Sequence, residues 1–226
     1  MQLDEYRRIL SERIFVFDGA MGTNLQLFNP TVDDYEGKEG CTEVLCFSHP
    51  DWLQKIHADF FKAGCDIVET NSFGSNRIVL GEYDLQDKVL EYNRKAAQLA
   101  KEVAAQFSTP DKPRYVAGSM GPGTKLPSLG HIDFDTLRRN YAEQAQGLLE
   151  GGSDLLLIET CQDLLQVKAA INGSLDAMKL LKVRVPLNVQ VTIEATGTVS
   201  LKTGLEVAWT LSGGPSCRAS KTGARL

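Results

Sequence analysis

The chain has 226 residues, 42% of them hydrophobic and 23% charged, enough for one large domain or two small ones with a real core. Its net charge of −5 excludes the basic stripe of a nucleic-acid binder, and no run approaches the roughly 18 apolar residues of a membrane span. The charged start, MQLDEYRRILSER, lacks the apolar stretch of a signal peptide, so the expectation is a cytoplasmic protein with neither nucleic acid nor membrane as partner.

In chain order, Leu3, Ile9 and Leu10 suggest a short amphipathic helix. A first apolar strand, Ile14–Ala20, runs into Asp18-Gly19-Ala20-Met21-Gly22-Thr23. Ser48-His49-Pro50-Asp51 reads as a capping box with proline in the first turn. It opens a helix with Trp52, Ile56, Phe60 and Ala63 on one face and Gly64 as its stop. A second strand, Asp66–Phe73, follows. Leu85, Val89, Tyr92, Ala96, Leu99, Val103 and Phe107 recur at helical spacing before a third strand, Arg114–Gly121. Asp133 caps a helix over Phe134–Glu150 whose buried stripe is Leu137, Tyr141, Ala145 and Leu148, closed by Gly151-Gly152. The strand Asp154–Thr160, a helix over Asp163–Leu181 and the strand Pro186–Ile193 complete the pattern.

This alternation predicts right-handed βαβ units and a parallel sheet. An internal echo supports it: GCDIVET (Gly64–Thr70) and GSDLLLIET (Gly152–Thr160) both pass from a glycine stop, through Asp, into a strand ending Glu-Thr. Both glutamates then lie at the C-terminal end of a parallel strand, the active-site face of a closed β/α barrel. The expected fold is α/β, of (β/α)8 TIM-barrel type but incomplete, with about five βα units; a doubly wound open sheet is the runner-up. Residues 1–211 are expected to form this partial domain. Residues 212–226, SGGPSCRASKTGARL, are small, polar and basic, and are expected to be a disordered tail.

Few residues suggest chemistry. In Asp18–Thr23 the bare backbone around Gly19 and Ala20 could take a carboxylate while Asp18 holds an ammonium, as a site for an amino acid would; a tight turn capped by Asp18 explains the same residues. Glu69 and Glu159 are site candidates by position. GSMGPGTK (Gly118–Lys125) fails the P-loop pattern and reads as a flexible rim loop. His49 and His57 are eight apart, His131 stands alone, and Cys41 and Cys46 lack partners at structural-zinc spacing. The five cysteines include no C-x-x-C pair and fit reduced thiols, with Cys65 and Cys161 as small buried hydrophobes.

Taken together, DGAMGTNLQ, HADFFKAGCDIVETNSFGSN, GSMGPGTK and GGSDLLLIETCQDLLQVKAA resemble the homocysteine-binding domain of cobalamin-dependent methionine synthases, within the wider homocysteine S-methyltransferase family. The insertion LFNPTVDDYEGKEGCTEVL favours that branch. The resemblance implies a (β/α)8 barrel that binds homocysteine at its strand ends, with zinc on three cysteine thiolates and methylcobalamin on a separate domain. It implies that Asp18 and Glu159 hold the substrate ammonium, that the main chain at Gly19, Ala20 and Met21 meets its carboxylate, and that Thr70 and Phe73 form a wall.

The family's G-x-N-C and Gly-Gly-Cys-Cys zinc motifs do not occur in the sequence, and Cys217 sits in an unmatched context, GGPSCRAS. The expectation is therefore a C-terminally truncated domain with no catalytic residue and neither zinc nor cobalamin bound, inactive alone and prone to self-association through unclosed sheet edges. A non-catalytic amino-acid-binding module, or an aldolase- or lyase-type barrel using the GSMGPGTK loop for phosphate with Lys125 as its candidate Schiff-base lysine, are the alternatives.

Overall fold

Four parallel strands, hydrogen-bonded in the order of the chain, form the sheet in the computed structural model of the protein, which describes residues 1–192 together with 198–199 and 203–204. They are β1 (Ile67–Glu69), β2 (Tyr115–Met120), β3 (Leu155–Cys161) and β4 (Leu187–Val191). Register runs from Ile67 opposite Tyr115, through Ala117 opposite Leu155, to Leu156 opposite Leu187. A doubly wound sheet reverses its strand order at the ligand crevice; this one does not, which is the winding of a β/α barrel. Among the described residues the barrel is incomplete, with four parallel strands. Thr198–Val199 and Thr203–Gly204 pair separately, as antiparallel neighbours. The tail 212–226, Cys217 and the end of the last expected strand lie outside the described residues.

The expected first strand is the main departure. Residues 14–17 run beside β1 but make only one parallel bridge, Phe17 to Ile67. The reason is local: the Asp66 carboxylate accepts the Val16 N–H at 3.0 Å and pairs with Arg13 at 2.8 Å, so a side chain takes a donor that a ladder would use. The sequence echo explains itself here. Asp154, the second aspartate of the pair, accepts the Val116 N–H at 2.9 Å and pairs with Lys101 at 2.8 Å, the same device one unit later.

Strand alternation divides the core in two. Val68 and Val116 point outward onto Phe61, Ala100 and Val103. Met120, Leu156 and Ile158 do the same against Tyr141, Ala145 and Leu148. Of the helices α1 (Leu3–Glu12), α2 (Met21–Gln26), α3 (Leu45–Ser48), α4 (Pro50–Ala63), α5 (Arg77–Gly81), α6 (Val89–Phe107), α7 (Phe134–Glu150) and α8 (Leu164–Leu181), these partners lie on α4, α6 and α7, and α8 follows β3. The inward set, Ile67, Tyr115, Ala117, Leu155 and Leu157, is covered by Tyr6 and Ile9 of α1 (Leu3–Glu12) and by Phe15. Tyr6 reaches Asn188 at the start of β4, 2.9 Å away, so α1 closes the N-terminal end of the sheet and leaves the other end open.

The helix caps follow expectation with one exception. Asp133 and Asp163 accept the N–H groups of Thr136 and Leu165, and Gly64 ends α4 in the left-handed region at φ 113°. Ser48, however, caps nothing: its hydroxyl bonds the Asp34 carbonyl at 2.7 Å, and the N-cap of α4 is His49. The buried face of α4 is turned slightly from the expected stripe, to Leu53, Ile56, His57 and Phe61, because α6 packs across it. No helix among the described residues is long and apolar enough to cross a membrane.

Candidate functional site

Asp18 follows directly on Phe17, whose bridge to β1 sets its position. Both of its carboxylate oxygens accept the backbone N–H of Glu69, at 3.1 and 3.0 Å, so the end of β1 fixes its orientation. The chain then turns through Gly19 and Ala20, both exposed, into the short helix α2 (Met21–Gln26). Gly19 lies close to the Phe60 ring, where a Cβ would come to 3.4 Å. The Ala20 carbonyl is taken by Asn24, while the N–H groups of Gly19, Ala20 and Met21 meet no acceptor among the described residues. A bare donor strip therefore adjoins a carboxylate.

Glu69 and Glu159 complete a triangle of acids, each at the C-terminal end of its strand. Burial raises Asp18 to about 7, and the charge of Glu159 adds to the rise. Burial also pushes Glu69 up, to about 9, with Glu159 and Asp18 as further causes, and burial raises Glu159 too. Three carboxyl groups so placed cannot all ionise at neutral pH. A cation entering between them removes that conflict, and an ammonium has the donors to satisfy more than one of them.

Glu159 is held by hydroxyls. Ser119 donates to its Oε1 at 2.5 Å, and Thr160 lies 3.5 Å from its Oε2. Thr160 stands in the left-handed region at φ 57°, uncommon for a β-branched residue. It sits in an irregularity of the β3–β4 register between Ile158 and Cys161. The extra residue keeps Glu159 inward while Cys161 turns out into the helix-facing core.

The two wall residues differ. Phe73 is 45% exposed, its carbonyl accepting the Gly121 N–H at 3.0 Å and its ring lying where a Cβ on Gly121 would be. Thr70 is buried; its hydroxyl accepts the Ser119 N–H at 2.9 Å and bonds Ser72 at 2.6 Å. The loop carrying Phe73 is braced by Glu43, a buried acid of the 27–45 insertion that accepts the Gly74 N–H at 2.7 Å. GSMGPGTK is not loose: Gln166 donates to the Pro122 carbonyl, and Asp163 accepts from Ser128 just beyond it. Lys125 is exposed on that loop. A cleft of about 360 Å³, lined by Leu27, Phe28, Ile56 and Phe60 among others, opens between α2 and α4, on the flank and not at the strand ends.

Sequence reasoning left out Ser119 and named Glu69 as a candidate by position alone, without assigning it a contact. A count by twos along β2 would have found Ser119: it shares the inward face of Tyr115 and Ala117 and lies beside β3, the strand that carries Glu159.

Among the described residues no three His, Cys, Asp or Glu side chains are grouped so as to hold a metal ion. Cys41, Cys46, Cys65 and Cys161 are all buried, and burial pushes each thiol up to about 12. Cys217, the remaining cysteine, lies outside the described residues.

Residues 15–212 match the family model of the homocysteine S-methyltransferases. Methionine synthase of Mycobacterium tuberculosis (strain ATCC 25618 / H37Rv) is 49% identical over 202 residues, which is 89% of this chain and 17% of that protein. Methionine synthase of Mycobacterium leprae (strain TN) is 51% identical over 192 residues, 85% of this chain and 16% of that protein. The chain thus spans about a sixth of the length of these curated relatives. The metallated form of the Escherichia coli homocysteine methyltransferase MmuM superimposes with a TM-score of 0.75 at 20% identity, over 92% of this chain and 74% of that one. Its apo form gives 0.67 at 21% identity. At that identity the likeness bears on fold alone.

Proposed function

The chain belongs to the homocysteine S-methyltransferase family, and from that premise we propose that residues 1–211 are the partial homocysteine-binding barrel domain of a cobalamin-dependent methionine synthase, with 212–226 outside it. The observation that carries this reading is the pairing of the acid triangle with the unmatched N–H groups of Gly19, Ala20 and Met21. An α-amino acid has the complementary shape. Its ammonium goes to Asp18 and Glu159, its carboxylate to the bare backbone, and its side chain passes the exposed ring of Phe73. Thr70 serves the wall from behind, through its bonds to Ser119 and Ser72.

Bound zinc would supply a substrate thiolate at neutral pH, where a free thiol with pKa near 8.5 is largely protonated. The described residues do not fit it. Their four thiols are buried and protonated, and no three His, Cys, Asp or Glu side chains among them are grouped so as to hold a metal ion. No step of methyl transfer is assigned to them; their part is to bind and orient the amino-acid end of homocysteine, with methylcobalamin on another domain. The absence of a donor set among these residues also favours a second reading, an amino-acid-binding module without catalysis.

Calorimetry at pH 7 with homocysteine and with methionine tests the clamp. Both should bind, because they share the end that is recognised, and heat with neither would sink the proposal. Metal analysis and an assay of methyl transfer from methylcobalamin separate the two readings: equimolar zinc with turnover refutes the non-catalytic one. We further propose that the chain self-associates through the uncovered edges of its sheet.

A further inference from the structure

We infer that Ser119 is the positioning residue that fixes Glu159 at the mouth of the sheet, through a hydroxyl relay beginning at Thr70. The inference deepens the clamp reading and rests on it for the role of Glu159.

The relay has a defined direction. Ser72 Oγ donates to the Ser119 carbonyl at 2.8 Å, so its proton is committed there and its oxygen accepts from Thr70. Thr70 Oγ1 in turn accepts the Ser119 N–H at 2.9 Å. The main chain of Ser119 is thus gripped on both sides by side chains from the loop after β1. Its own hydroxyl, on a residue only 2% exposed, reaches across to Glu159 Oε1 at 2.5 Å. Three strand ends are linked in this way without a cation among the described residues.

The chemistry gives the arrangement a purpose. The titratable groups facing Glu159 are Asp18 and Glu69 from the neighbouring strand ends, both acids, while Cys161 on its own strand is turned to the helix side. The inward-facing residues of β4, Asn188 and Gln190, carry no charge. Among the described residues nothing nearby supplies a cation, so there the ionised form of Glu159 is held by hydroxyl donors, and Ser119 makes the short bond. A hydroxyl donor also selects one rotamer of the carboxylate, the one pointing toward Asp18's side of the mouth.

Carbon-detected NMR titration of the Glu159 carboxyl in the ligand-free 226-residue chain tests this directly. In Ser119→Ala the midpoint should move up by about one pH unit, because a donor favouring the ionised form is lost. An unchanged midpoint overturns the inference. Should the alanine variant fail to fold, Ser119→Cys, with nearly the same shape and a poor donor, should shift the same midpoint in the same direction. Methionine calorimetry supplies the second readout: Ser119→Ala should weaken binding about tenfold and move its acid limb upward, yet cause little further loss in a Glu159→Gln background. Additive losses would show that Ser119 does not act through Glu159. A wild-type chain that binds no amino acid defeats the clamp reading, while the titration still decides on Ser119.

Discussion

Asp18 accepts one backbone N–H with both oxygens, and this makes it sensitive to the smallest change. Asparagine cannot present two acceptors there. Asp18→Asn and Glu159→Gln should each cost about 1.5–3 kcal/mol of amino-acid affinity, roughly ten- to a hundredfold, read as Kd for methionine by calorimetry. The acids also set a pH dependence. Asp18 and Glu69 sit in the folded protein at about 7 and about 9, above the roughly 4 of an unfolded chain. The native state therefore binds more protons. The stability they contribute is complete below pH 4 and is lost as pH rises through 7 and 9. Thermal midpoints of Glu69→Gln should fall less between pH 5 and pH 9 than those of the wild type; parallel slopes would contradict this. Asp18 and Glu159 were legible as candidates because glycine and a strand end mark them. Ser119 was not, since a bond between residues 40 apart leaves no periodic trace.

Helix contacts depend on glycines that local propensity would discourage. A Cβ on Gly173 of α8 would come to 2.4 Å from the Arg138 carbonyl and 2.8 Å from the Ala142 nitrogen, both backbone atoms of α7. Gly173→Ala should therefore destabilise by about 1–3 kcal/mol, measured by urea denaturation, because one helix must back away from the other. The helices α6 and α7 could be read from apolar spacing, and the starts of α7 and α8 from Asp133 and Asp163, since both signals are local. The first strand and the Ser48 cap could not. Each was displaced by an acceptor distant in sequence, the Asp66 carboxylate in one case and the Asp34 main-chain carbonyl in the other.

Across the whole molecule, apolar side chains remain exposed at both ends of the arc. Ile14 and Val16 are 83% and 52% exposed at the first-strand side, and Leu175 and Leu180 of α8 are 51% and 64% exposed at the other. Sedimentation velocity should show association that grows with protein concentration, and Val16→Lys with Leu180→Lys should reduce it. A monomer at all concentrations would remove the proposal. The parallel winding was readable from the strand–helix rhythm alone, because βαβ handedness leaves little choice.

The bond between Tyr6 and Asn188 joins positions 182 apart. At a ribosome delivering about 5–20 residues per second, the partner of Tyr6 emerges on the order of ten to forty seconds after it. The apolar side of α1 is covered piecemeal as β1, β2 and β3 arrive, but the tie that closes the N-terminal end of the sheet waits for β4. The nascent chain is then a client for whatever shields unfinished surfaces during synthesis, and β4 acts as the latch that ends the wait.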